Sequence, residues 1–74
     1  MIREGERKYL ALTQREREVL VLIAQDKALK QIAMELNISL KTVESHKAAI
    51  MKKLDTYSLV GLTRYAIKEG LVFL

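Results

Sequence analysis

Lys30-Gln31-Ile32-Ala33-Met34-Glu35-Leu36-Asn37-Ile38-Ser39-Leu40-Lys41-Thr42-Val43 is the stretch on which the fold turns. Its first half puts Ile32, Ala33 and Leu36 on one face of a short helix, about 28–36. Asn accepts left-handed backbone more readily than most residues other than Gly, so Leu36-Asn37-Ile38-Ser39 reads as a tight turn. The Ser39 hydroxyl can then cap a following helix. That helix runs over about 40–54, because Val43, Ile50 and Leu54 recur at steps of seven and four and give it an inward face. Its 15 residues span about 22 Å. Two crossing helices need a small residue where their backbones approach, and Ala33 supplies it four positions before Asn37. Ile38 and Val43 lock the second helix against the first. Short helix, turn and long helix predict a helix-turn-helix, although an ordinary helical hairpin shares this apolar spacing.

The flanks extend the helical pattern. Upstream, Thr13-Gln14-Arg15-Glu16 is a capping box, in which hydroxyl and carboxylate each take an orphan backbone N–H. Val19, Leu20, Leu22, Ile23 and Ala24 follow as a broad apolar stripe that ends at Asp26 and Lys27. Residues 1–11 are charged and non-periodic and read as a flexible lead-in, with order beginning near Tyr9 to Leu12. Downstream, Asp55-Thr56-Tyr57 breaks the long helix, and Ser58 can cap another that reaches about Glu69. Leu59, Leu62 and Ala66 form one stripe of it; Val60, Thr63 or Arg64, and Ile67 form a second. Gly70 stands where a helix C-terminal glycine belongs. The expected fold class is all-α: a four-helix, bundle-like domain over 12–74 that contains the helix-turn-helix.

Composition narrows the functions. Seventy-four residues hold one domain, which at this size buries only about 60% of the surface that its unfolded chain exposes. With no cysteine there is neither disulfide nor thiolate metal site, and the one histidine, His46, cannot make a metal cluster or a catalytic triad by itself. No nucleophile, base and orienting group come together, so an enzyme is not expected, nor any metal or cofactor. The apolar run that ends at Asp26 is too short to cross a membrane, and the charged N-terminus lacks the apolar heart of a signal peptide; the expected location is cytoplasmic.

Thirteen Lys and Arg against nine Asp and Glu leave a surplus of four positive charges. That surplus is uneven. Residues 39–54 carry Lys41, Lys47, Lys52 and Lys53 against Glu44 alone, a surplus of three on the long helix. A lysine-rich helix can be merely a solvated face. Placed second in a helix-turn-helix, it has the geometry of a helix that enters the major groove of DNA.

The residues also resemble a known family. The run 12–20, Leu-Thr-Gln-Arg-Glu-Arg-Glu-Val-Leu, is similar to the LT-x-RE-x-EVL opening of LuxR-type (NarL/FixJ-type) DNA-binding domains. Lys30-Gln31-Ile32-Ala33 is similar to that family's K-x-IA. Ile38-Ser39 with Thr42-Val43 and His46 resembles its IS-x-x-TV-x-x-H. Lys53-Leu54 matches its KL, and Tyr65-Ala66-Ile67 with Gly70-Leu71 its closing YAI-x-x-GL. Order and spacing hold from Leu12 to the end. The resemblance implies a four-helix domain of a bacterial transcriptional regulator that binds double-stranded DNA as a dimer. Asp26 and Asp55 stand where the family usually has Gly, and Ala48-Ala49 where an Asn is common.

The mechanism expected from this resemblance has the helix 40–54 reading bases, at the positions that the resemblance picks: Glu44, Ser45 and Ala48. Glu44 can accept from cytosine N4, Ser45 can pair with several bases, and Ala48 can touch a thymine methyl. A salt bridge from Glu44 to Lys41, Lys47 or a neighbouring helix is the plainer role for that carboxylate. Lys41, Thr42 and Lys47, with Lys30 from the preceding helix and more weakly Lys52, are candidates for phosphate contacts, which position without specifying. His46, one turn from Val43, is a packing residue that can also touch a phosphate. Val60, Arg64 and Ile67 are candidates for a homodimer interface on the fourth helix, with Gly61 permitting close approach; core packing is the competing account. RNA polymerase is a further candidate partner, a membrane is not. A sigma-factor-like promoter-binding domain and a helical protein-interaction module are the alternative readings. A stand-alone regulator and the C-terminal part of a response regulator fit the sequence equally.

Overall fold

The computed structural model describes residues 4–68 and Gly70 and contains only helices among them. In chain order these are α1 (Glu4–Leu10), α2 (Gln14–Ala24), α3 (Leu29–Leu36), α4 (Leu40–Leu54) and α5 (Leu59–Lys68). The four expected helices are α2 to α5, and α4 has the expected limits. The difference lies upstream. Order begins before Tyr9, because Glu4–Leu10 is helical where the sequence suggests a flexible lead-in. α1 packs on α4, and Tyr9 and Arg17 tie it to the domain. Tyr9 is half-buried against the core, and its ring lies 4.9 Å from the Arg17 guanidinium, which also donates to the Leu10 carbonyl. Arg7 and Lys8 in the last turn face the negative end of the helix dipole.

Each start has a chemical reason. At α2 the Glu16 N–H donates to Thr13 Oγ1 at 3.1 Å, and the Thr13 N–H donates to Glu16 Oε1 at 2.9 Å, which closes the capping box. Ser39 Oγ accepts the Thr42 N–H at the start of α4, and Ser58 Oγ the Gly61 N–H at α5. α3 starts at Ala28 without a side-chain cap. The ends share one device. Asp26, Asn37 and Asp55 each take left-handed φ, at 65°, 55° and 56°. After each, the next N–H reaches back to close the last turn, from Lys27 to Leu22, Ile38 to Ala33 and Thr56 to Met51. Gly70 takes φ 72°, the left-handed conformation expected of a helix C-terminal glycine, and its N–H donates to the Ile67 carbonyl.

The core is aliphatic. Leu20, Ile32, Ile50, Leu62, Val19 and Val43 are its largest fully buried side chains. α2 lies between α5 and α4, and α3 packs on α4. Ala24 and Ala66 are buried together, which lets α2 and α5 approach closely. Ala33 is buried and Ile38 half-buried at the α3–α4 corner, the places expected of them. Leu59 departs from its expected stripe: it sits at the first position of α5, 44% exposed, while Leu62 and Ala66 turn inward.

Candidate nucleic-acid interface

The inward residues of α4 leave the rest of that helix outside. Val43 and Ile50 are fully buried and Leu54 nearly so. Lys41, Thr42, Glu44, Ser45, Ala48 and Lys52 are exposed, at the three- and four-residue steps that make one helix face. His46 and Lys47 flank that face half-buried. Ser39 and Thr42 hydroxyls share a hydrogen bond of 2.8 Å at the N-terminus of the helix. Lys30 is exposed on the first turn of α3. All the expected readout and phosphate candidates are therefore accessible or partly so. The salt bridge that anchors α4 to another helix is made by a lysine and not by Glu44.

That lysine is Lys53, one of the four that make the helix basic in sequence. Its Nζ donates to Glu16 Oε1 at 2.7 Å, across 37 residues of chain. Glu16 is 5% exposed and is the buried charged residue of the core. Burial alone raises the pKa of its carboxyl. The hydrogen bonds from Lys53 and the Thr13 backbone, with the ammonium's charge, outweigh that and hold it below the usual value. The free positive face of α4 is thus Lys41, Lys47 and Lys52. The capping box marks Glu16 in the sequence, but nothing local marks its partner.

The expected interface residues of α5 also point outward: Val60 is 61% exposed, Ile67 40%, and Arg64 is exposed. Tyr57 and Leu59 adjoin them on the approach to the helix. Gly61 has a role within its own chain. A Cβ there would run into Thr56 Oγ1 and crowd Ser58 Oγ, so the missing side chain makes room for the turn before α5. Among the described residues no cluster of His, Asp and Glu could hold a metal ion, and no helix is long and apolar enough to cross a membrane.

A short helix, a left-handed turn and a long helix with an exposed basic face define a helix-turn-helix DNA-binding domain. Comparison with known proteins gives the particular family. A model of bacterial regulatory proteins of the luxR family matches residues 10–66, and the chain belongs to that family. It is 51% identical over 59 residues to an uncharacterized response regulatory protein, YgeK, of Escherichia coli strain K12, covering 80% of this chain and 40% of that protein. It is 49% identical over 61 residues to the oxygen regulatory protein NreC of Staphylococcus haemolyticus, covering 82% of this chain and 28% of the relative. NreC of Staphylococcus carnosus is similar at 48%. The chain thus spans less than half the length of these relatives. The helix α1 lies almost wholly ahead of the family match.

Proposed function

We propose that this domain reads a specific half-site in double-stranded DNA with α4 in the major groove, as the DNA-binding part of a bacterial response regulator acting in the cytoplasm. The observation that carries the reading is the division of α4: one face locked into the core, the other exposed, basic and rich in small polar or apolar side chains. Small residues let a helix approach the groove floor. Glu44 accepts from cytosine N4, Ser45 bonds a neighbouring base edge, and Ala48 packs on a thymine methyl. Lys41, Thr42, Lys47 and Lys30, with Lys52 at the far end and His46 at the flank, hold phosphates and set the register. A second copy, joined through Val60, Arg64 and Ile67 of α5, reads the other half-site, because one recognition helix covers too few base pairs to single out a site.

Selection of bound DNA from a random pool tests this. A two-fold related pair of short motifs is expected. Ser45→Ala should change the preferred base at one position of each motif and leave the others. A pool that stays random after selection sinks the sequence-specific reading; an unchanged profile for Ser45→Ala removes Ser45 from readout.

A further inference from the structure

The recognition helix carries four lysines, and only three are free to meet DNA. Lys53 is spoken for by Glu16 at 2.7 Å. The anchor itself cannot drift. Glu16 Oε1 also accepts the Thr13 N–H, and the Glu16 backbone N–H is held by Thr13 Oγ1, so the carboxylate is fixed to the first turn of α2. The Glu16 side chain is 7% exposed, and that of Lys53 35%. Lys53 must therefore come to Glu16, rather than Glu16 to Lys53.

α2 and α4 pack on each other, and the buried residues that both give to the core, Val19, Leu20 and Ile23 from α2 and Val43, Ile50 and Leu54 from α4, are all aliphatic. Apolar contact is non-directional and tolerates small slides and rotations of one helix on another. A charge-assisted hydrogen bond does not. It sits in the last turn of α4, at the end opposite the Ser39 cap. Over a helix of about 22 Å, a displacement at one end swings the side chains of the middle. From this geometry we infer that Lys53 is a positioning residue, withheld from DNA by Glu16 to fix the angle at which α4 presents Ser45 and Ala48. The assignment rests on the DNA-binding reading above and gives one basic residue of the recognition helix a role that its charge and place do not suggest. Its neighbour Lys52, exposed, is the one left for a phosphate.

The test is a salt titration of the 74-residue chain on its selected site and on unrelated DNA, with Lys53→Met beside the parent. If Lys53 positions, the slope of log affinity against log salt equals the parent's, because no phosphate contact is lost. Discrimination between the two DNAs falls on the order of threefold or more, and Lys53→Arg restores it by re-forming the pair. A slope shallower by about 0.9, with discrimination kept, makes Lys53 a phosphate contact and overturns the assignment. Equal slope with equal discrimination overturns it too, since the pair would then serve only stability. Should Lys53→Met not fold, Glu16→Gln keeps the shape and the Thr13 bond while dropping the charge. It must lose discrimination in the same way. A parent without salt-sensitive DNA binding overturns the functional proposal itself, a result distinct from all of these.

Discussion

Glu16 joins three tasks in one side chain: it closes a helix start, carries the core's buried charge and receives Lys53. Its pH behaviour follows from the balance of these. The folded carboxyl titrates below the ordinary value of 4.5 because its bonds outweigh its burial. A lowered folded pKa means stability that is complete above the unfolded pKa and lost as pH falls through the folded one. Glu16→Gln should therefore cost about 1–2 kcal/mol at neutral pH, and the gap from the parent should close on acidification below 4.5. Urea unfolding across that range measures it, and a gap that stays constant would mean the charge is unimportant. Lys47 is the matching case on the face proposed to meet DNA. Replacing it with Ala should weaken binding to all sequences alike and make the salt slope shallower by about one unit. Lys47 and Lys53 look equivalent in sequence, two lysines on a basic helix. What separates them is a contact across 37 residues that no local pattern encodes.

At the level of elements, the repeated helix ending is the most telling feature. Three successive helices stop on a non-glycine residue in left-handed conformation, two of them aspartates. Asp reaches that region at a cost that Gly avoids. Asp26→Gly and Asp55→Gly should each stabilise the domain by about 0.5 kcal/mol, or roughly 2–4 °C in Tm. The two should add, because they end different helices. Thermal unfolding of both singles and the double checks this; a loss of stability at either site would show that an aspartate does more than turn the chain. Most of this scale is legible in the sequence. Thr13, Ser39 and Ser58 announce three helix starts by their hydroxyls, and Asn37 announces its turn. Two features are not legible there. α1 lacks an apolar period, since what holds it is long-range: its packing on α4, and Tyr9 and the Leu10 carbonyl against Arg17. Gly61 reads as a gap for a partner, whereas the Thr56 side chain of the same chain occupies the space beside it.

For the whole molecule, two surfaces are legible as exposed faces but their occupants are not, because one chain contains no DNA and no second copy. The outer face of α5 can be tested directly. Val60→Asp would set like charges across the two-fold axis of the proposed dimer. It should leave affinity for an isolated half-site unchanged and abolish cooperative binding to a pair, as read by gel shift on one-site and two-site DNA. Retained cooperativity would place the dimer contact elsewhere. Packing order also bears on synthesis. α2 lies between α4 and α5, and Leu62 and Ala66 come from the last described helix. Every side chain proposed to read bases is made before them. A chain halted before Leu59 therefore carries all the proposed lettering but lacks Leu62 and Ala66, two fully buried residues of its core.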